Sequence, residues 1–243
     1  MWFEAVLALS AIAGGAIASV TGFGIGSLLT PAMAWQVDAR VAVAAVSIPH
    51  VVGTAFRFWL LGGHVDRRVL WSFGVMSAAG GLTGALVQEQ ATTPLLMVIF
   101  GLLLLFTAGA ELSGLAQRMR FEGPIAYGAG ALSGLLGGLV GNQGGIRSAA
   151  LLGVELPKHA FVATATAVGL MVDGARVPVY LWYMREPIGE VGAWVALATA
   201  GVVAGTLLGH RLLVRIPERW FRRTVAVILA LLGAAMLAQG VAR

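Results

Sequence analysis

Cysteine is absent from the 243 residues, and charged side chains make up only 11% of them. Without cysteine the chain can form no disulfide framework and no Cys-ligated zinc or iron–sulfur centre. A typical soluble domain carries about 25% charged residues, so this chain cannot cover a globular surface with charge. The low charge content excludes a soluble monomer, and the high apolar content excludes a disordered chain.

Apolar side chains account for 58% of the residues, and the mean hydropathy is +0.88. A membrane-spanning helix needs about 20 predominantly apolar residues. Runs with little or no charge predict eight such helices, and hence an all-α polytopic membrane protein with little chain outside the bilayer. The predicted spans lie near 3–20, 40–61, 69–88, 93–113, 123–141, 158–182, 189–210 and 221–240.

The net charge of +5 would suggest a nucleic-acid partner in a soluble protein. Here the basic residues fall in short connections, which is typical of loops that contact lipid headgroups on the cytoplasmic side. We therefore expect an inner (cell) membrane location, with the most basic connection in the cytoplasm and both termini outside. That connection contains Arg211, Arg215, Arg219, Arg222 and Arg223.

Two glycine-rich stretches interrupt the predicted spans. The uncharged run 5–37 is too long for one span and too short for two, and it contains the sequence TGFGIG from Thr21 and then Pro31. Because glycine and proline both disfavour helix, we expect a break near Gly22 and a re-entrant stretch through Pro31. A second glycine-rich stretch, 137–145, predicts a matching break in the fifth span.

The unusual residues of the two halves match at an offset of 119 positions. This offset predicts two four-helix repeats, 1–120 and 121–243, which together form one membrane domain. An even number of spans in each repeat predicts parallel repeats, related by a pseudo-two-fold axis along the membrane normal. The matching pairs include Gly22 with Gly141, Gly26 with Gly145, Ala44 with Ala163, and Arg57 with Arg176.

Arg57 and Arg176 each interrupt an otherwise apolar span. A charged side chain at the centre of a span costs about 2.5–3.5 kcal/mol on insertion scales. One interpretation is that each arginine snorkels to an interface, and another is that Arg176 pairs with Asp173, three residues earlier on the same helix face. We favour a binding role, because two guanidinium groups at equivalent positions could hold a small oxyanion by bidentate hydrogen bonds.

The helix breaks predict further ligands for an anion, because backbone amides at a half-helix N-terminus attract negative charge and glycine lets the backbone approach closely. Tight helix packing is the competing explanation for the glycines. Arg147 follows the second break and is a candidate site cation, gate or interfacial anchor. The candidate ligands at the breaks are Thr21, Gly22, Gly24, Asn142, Gln143, Gly144 and Gly145.

His50 and Asp173 are two further ionisable residues within the predicted spans. His50 could carry a coupling proton, although a hydrogen bond across helices is the simpler role. Asp173 could also take a proton, and we favour a role in holding Arg176. The aromatic residues Trp59, Tyr180, Trp182 and Tyr183 are typical of an interfacial belt.

The two glycine-rich motifs, Gly22–Pro31 and Gly134–Gly145, resemble those of the TauE/SafE family of sulfite exporters, and the resemblance extends over essentially the whole chain. It implies transport of small sulfur-containing anions such as sulfite, sulfoacetate, thiosulfate or other organosulfonates. Phe23 and Ile25 stand where many relatives carry further glycines.

These features predict a secondary transporter, acting as an exporter, that binds its anion between the repeats near the middle of the membrane and works by alternating access. An anion channel for small oxyanions is the alternative, and a scaffold role is less well supported. The sequence carries no enzyme motif and calls for no cofactor or metal. The expected partners are a small anion, the lipid bilayer, a coupling proton or other ion, and a second copy in a homodimer, but not nucleic acid.

Overall fold

The computed structural model describes residues 2–115, 124–142, 144, 146–147, 151, 156–212 and 218–242, and at 158, 210–212 and 218–222 the backbone alone. The described chain is helical and contains no strand. Its helices, numbered in chain order, are α1 (Trp2–Thr21), α2 (Ile25–Ala34), α3 (Ala39–Leu61), α4 (Arg67–Gln88), α5 (Thr93–Leu112), α6 (Pro124–Val140), α7 (Lys158–Tyr183), α8 (Arg185–Glu190), α9 (Gly192–Leu212) and α10 (Glu218–Ala242).

Seven helices in the described part of the chain are long and apolar enough to cross a membrane, namely α1, α3, α4, α5, α7, α9 and α10. They coincide with seven of the eight predicted spans, which confirms an all-α polytopic membrane protein. The remaining predicted span, 123–141, corresponds to α6. Its 17 residues rise about 26 Å, slightly less than a hydrocarbon core of about 30 Å, so its crossing stays a prediction.

The predicted break near Gly22 is confirmed. Gly22 has a φ of +80°, in the left-handed region that favours glycine, and α1 ends at the residue before it. Beyond the break, the Cα of Ile25 lies 3.2 Å from the position of a Cβ built on Gly14. Gly14 lies about two turns before the end of α1, so the chain reverses direction at the break.

The segment after this break is the short helix α2, which includes Pro31 and continues to Ala34. Its ten residues rise about 15 Å, half the thickness of the hydrocarbon core, and all ten are buried. The expected re-entrant stretch is therefore a buried half-length helix enclosed by the longer helices.

The second break lies where the 119-residue offset predicts it. Gly141 has a φ of +75°, close to that of Gly22. A Cβ on Gly26 would overlap the carbonyl oxygen of Gly141, and a Cβ on Gly144 would overlap the side chain of Phe23. The two breaks therefore pack directly against each other inside the protein.

Helices α3 and α7 are the most deeply buried of the long helices, and they pack antiparallel. Residue numbers fall on α7 as they rise on α3. Three contacts show this order: His50 with Asp173, Thr54 with Gly169, and Arg57 with Thr166.

The expectation of parallel repeats is wrong for this central pair. Under the 119-residue offset α3 and α7 are counterparts, and antiparallel counterparts correspond to an inverted relation between the two halves. The prediction treated the first broken helix as one complete membrane crossing and counted four crossings in each half. Because the chain reverses at Gly22, α1 and α2 form a hairpin, and that count does not apply.

Glycine brings two pairs of helices into close contact. On α9, a Cβ at Gly205 would overlap the carbonyl oxygen of Ile12 on α1, and on α6 a Cβ at Gly134 would overlap that of Ser77 on α4. The offset relates α1 to α6 and α9 to α4, so the same packing occurs twice. Tight helix packing thus explains a large share of the glycine content.

Asp38 fixes where α3 begins. Its carboxylate accepts a hydrogen bond from the backbone N–H of Arg40 at 2.9 Å and another from the Thr93 hydroxyl at the start of α5. Partial burial alone would raise the pKa of Asp38, but these hydrogen bonds hold that pKa below its usual value. The cap sets the height of α3, and hence of its polar residues, relative to α5.

Replacement of Gly134 by Ala should destabilise the protein by about 1–3 kcal/mol, because the added methyl group meets backbone of α4 that cannot easily move. Thermal unfolding in detergent measures the effect. The matched control is Gly128→Ala on the same helix, where a Cβ meets nothing within 4 Å. Equal melting temperatures for the two variants would contradict this packing.

Candidate functional site

A line of buried polar residues runs along the contact between α3 and α7. On each helix the residues are spaced alternately by three and four positions, which places them on one face. We call this line the polar seam. It consists of Ser47, His50, Thr54 and Arg57 on α3, and Thr166, Gly169, Asp173, Arg176 and Tyr180 on α7.

At one end of the polar seam, Asp173 bridges two basic residues. Its Oδ2 lies 2.7 Å from Nδ1 of His50, and its Oδ1 lies 2.8 Å from an Nη and 3.0 Å from the Nε of Arg176. The expected pair of Asp173 with Arg176 is confirmed, as is the expected cross-helix bond of His50. The charge of Arg176 is therefore compensated within the protein.

Arg176 and Tyr180 also connect α7 to α6. An Nη of Arg176 donates to the carbonyl oxygen of Gly137, and the Tyr180 hydroxyl donates to that of Gly138. Tyr180 is 2% exposed, so its predicted place in an aromatic belt is wrong. Trp59, Trp182 and Tyr183 are exposed, as the belt requires.

Arg57 is buried, and none of the described carboxylates pairs with it. Only 3% of its surface is exposed, which excludes snorkelling to an interface. Its Nε donates to the Thr166 hydroxyl at 2.9 Å, but its Nη1 is buried and has no hydrogen-bond partner. A guanidinium group stays charged under ordinary conditions, so Arg57 brings an uncompensated charge into the polar seam.

Arg147 brings a second guanidinium group to the polar seam from the segment after the second break. It is 2% exposed, which excludes an interfacial anchor, and its Nη2 donates to the carbonyl oxygen of Gly22 at 2.8 Å. Its Nε and Nη1 are buried without partners. A Cβ on Gly169 would lie 3.1 Å from Nη1 and 3.4 Å from Cγ2 of Thr54, so the guanidinium lies against α3 and α7.

The two uncompensated guanidinium groups lie close together. Arg57 bonds to Thr166 and Arg147 contacts Gly169, and these two positions on α7 are three residues, or about 4.5 Å, apart along the helix. The cluster contains three arginines and one aspartate, which leaves a net charge of +2 when His50 is neutral. Buried charges without partners are costly, so the arrangement favours an anion.

Other predicted ligands bond within the breaks themselves. The Thr21 hydroxyl lies 2.8 Å from the carbonyl oxygen of Phe23 and accepts from its N–H at 3.3 Å. Oδ1 of Asn142 accepts from the N–H of Gly144 at 3.3 Å, and the Gly22 carbonyl is taken by Arg147.

The remaining glycine at the first break, Gly24, has a φ of +132° and packs against Ile17. Gln143 and Gly145 lie outside the described residues, and so does Arg215 of the basic connection.

Thr54 and Thr166 belong to the polar seam but were missed by reasoning from the sequence. A lone threonine in an apolar span carries little signal by itself. The signal that could have found both is their spacing, because Thr54 lies three positions before Arg57 and Thr166 lies seven positions before Asp173, each on one helix face.

The model of the family described as "Sulfite exporter TauE/SafE" matches residues 7–236. The chain belongs to the TauE/SafE family. No curated protein matches it, and no solved structure does. The family match confirms the resemblance in the glycine-rich motifs, and with the apolar helices it supports a multi-pass membrane protein that transports anions.

In this TauE/SafE protein no three His, Asp or Glu side chains come together as a metal site within the described ranges. The described part of the polar seam offers guanidinium N–H donors and positive charge. A transporter family makes a non-enzymatic role plausible.

Asp173→Asn should destabilise this TauE/SafE protein by about 3–5 kcal/mol, because it leaves Arg176 buried without its counter-charge. Thermal unfolding in detergent measures the loss. Glu190→Gln, which removes an exposed carboxylate, serves as the control and should stay within about 0.5 kcal/mol. The double variant Asp173→Asn/Arg176→Gln should be more stable than Asp173→Asn alone, and a less stable double variant would contradict the pairing.

Proposed function

We propose that the protein is a secondary carrier that exports small sulfur-containing oxyanions, such as sulfite, sulfoacetate or other organosulfonates, across the inner membrane. The anion binds in the polar seam, near the middle of the bilayer. The observation that carries the proposal is the set of buried N–H groups without partners on Arg57 and Arg147. In a native protein such groups call for an explanation, and a bound anion is one that also supplies charge.

A sulfonate or sulfite group suits these donors. Its three oxygens can accept hydrogen bonds from two guanidinium groups that approach from different directions. Arg147 Nη1 lies against Gly169, whose missing side chain leaves the guanidinium group close to the helix axis. Thr166 and the Gly22 carbonyl hold the two arginine side chains in place. Anion binding therefore costs little side-chain entropy.

We propose different roles for the two arginines of the sequence hypothesis. Arg57 keeps its place as an anion ligand, because its Nη1 is free to bond. Arg176 is held by Asp173 and by the Gly137 carbonyl, so we propose that it positions α7 against α6. Arg147, first considered as a cation or gate, takes the place of Arg176 beside the anion.

The two helix breaks supply further candidate residues for the proposed anion site. We propose that Thr21, Gly22, Gly24, Asn142, Gln143, Gly144 and Gly145 shape and orient the backbone around the anion. Contacts within the breaks and the Arg147 bond to Gly22 hold this backbone in place.

Antiparallel counterparts support alternating access. In transporters with inverted repeats, rocking of one half against the other opens a central site first to one side and then to the other. We propose that residues 1–120 and 121–243 are these halves and that the seam between α3 and α7 is the surface on which they move. The basic connection 211–223 would then lie in the cytoplasm, with both termini outside.

Arg57→Gln and Arg147→Gln should each weaken anion binding by about 10–100-fold, because a hydrogen bond to a charged group contributes about 1.5–3 kcal/mol. Thermal-shift titration of the purified protein with sulfite and sulfoacetate measures the affinity, and transport into liposomes measures the activity. Arg68→Gln, at an exposed arginine, is the matched control and should bind as the wild type does. Normal binding by both seam variants would refute the site.

Counterflow distinguishes a carrier from an anion channel. If the site alternates, unlabelled sulfite inside liposomes should accelerate entry of labelled sulfite several-fold, because the loaded carrier returns faster than the empty one. A channel lined by the same arginines would conduct without this acceleration. Liposomes with Arg68→Gln provide the positive control, and Arg57→Gln should abolish the acceleration.

A further inference from the structure

Among the aligned positions of the polar seam, one difference between the two halves decides the charge of the seam. The 119-residue offset aligns Arg57 with Arg176, and it aligns Thr54 with Asp173. Asp173 lies three residues before Arg176 and pairs with it at 2.8 Å. The corresponding neighbour of Arg57 is Thr54, whose side chain carries no charge.

A second aligned position of the polar seam also differs between the halves. His50 aligns with Gly169, and the space that a side chain would need at Gly169 is bordered by Nη1 of Arg147 at 3.1 Å. Asp173 therefore neutralises Arg176, whereas Thr54 at the aligned position offers no charge to Arg57, which lies near Arg147. Two positive charges remain, and both have unpartnered N–H groups.

We infer that the polar seam selects doubly charged oxyanions over singly charged ones of the same shape, and that Thr54 is the residue that sets this preference. The inference rests on the proposed function and names the charge class of its substrate. A dianion such as sulfoacetate compensates both buried charges. A monoanion leaves one of them buried and unpaired, which is the costly state for an ion away from water.

Thr54 is placed to exert this control. It is 1% exposed, its Cγ2 packs beside the Gly169 position, and its hydroxyl lies 3.5 Å from Nδ1 of His50. It lies on the same face of α3 as Arg57, three residues earlier. A carboxylate at this position could pair with Arg57 as Asp173 pairs with Arg176, and the net charge of the seam would fall from +2 to +1.

The test compares two ligands of nearly equal shape, sulfoacetate with two charges and sulfoacetamide with one. Titrations use the purified protein at one fixed pH of about 8, so that the two ligands differ in charge and every group of the protein is compared in the same state. The charged groups that act on His50 are Asp173 and Arg176 on α7 and Arg147 beside them. The described side chains of α2 and α9 are not titratable, and those of α8 that are titratable are exposed.

Wild-type protein should bind sulfoacetate at least tenfold more tightly than sulfoacetamide. Thr54→Asp should reduce this preference by about tenfold or more, mainly by weakening sulfoacetate binding. Thr54→Asn has the shape of Asp without its charge, so it should keep the preference whatever its absolute affinities. If Thr54→Asp does not fold, Arg147→Gln tests the same charge count and should also reduce the preference.

The outcomes separate this inference from the proposed function. If wild-type protein binds both ligands equally well, or if Thr54→Asp leaves the ratio unchanged, charge selection at Thr54 is refuted while anion binding stands. If wild-type protein binds neither these ligands nor sulfite, the proposed function fails. A loss of preference in Thr54→Asn equal to that in Thr54→Asp would show that shape, and not charge, is responsible.

Discussion

Three guanidinium groups and one carboxylate are buried where α3 and α7 cross, and the rest of the structure is arranged around the cost of burying them. An isolated ion in a low-dielectric interior costs several kcal/mol even after relaxation. For Arg176 this cost is offset by the ion pair with Asp173. Arg57 has a hydrogen bond to Thr166, and Arg147 has one to the Gly22 carbonyl. Hydrogen bonds from neutral groups do not cancel charge. Arg57 and Arg147 therefore account for the preference for anions that we propose.

The glycines serve this arrangement in two physically distinct ways. Gly22 and Gly141 allow the left-handed backbone at the breaks, which exposes the carbonyl that Arg147 binds. Gly134 and Gly205 instead let neighbouring helices approach until backbone meets backbone. Close packing of the outer helices excludes lipid and water from the polar seam, and in such surroundings each charge contact is stronger.

Features that depend on local composition could be predicted from the sequence. The lengths of the apolar runs predicted the spans, and glycine predicted the break at Gly22. The aligned arginines pointed to the two helices that form the polar seam. The pair of Asp173 with Arg176 also followed, because both lie on one helix face.

Contacts between distant parts of the chain could not be predicted in this way. The placement of Arg147 in the polar seam includes a bond to Gly22, 125 positions earlier, which no periodicity predicts. The inverted relation of α3 and α7 was missed because hydropathy counts apolar segments and does not report where a chain reverses. Tyr180 was misassigned for a similar reason, since its partner is a carbonyl on another helix.

The bond between Arg57 and Thr166 joins residues 109 positions apart, and that between His50 and Asp173 joins residues 123 apart. During synthesis, α3 therefore reaches the bilayer well before the helix that holds its partners. Until α7 arrives, Arg57 and His50 must be accommodated by water, by lipid headgroups or by the insertion machinery. The first half thus enters the membrane while the polar side chains of α3 have no partners on α7. These side chains gain their hydrogen bonds only when the second half has been inserted. A chain that stops before α7 would expose a cation to the lipid and become a target for membrane quality control.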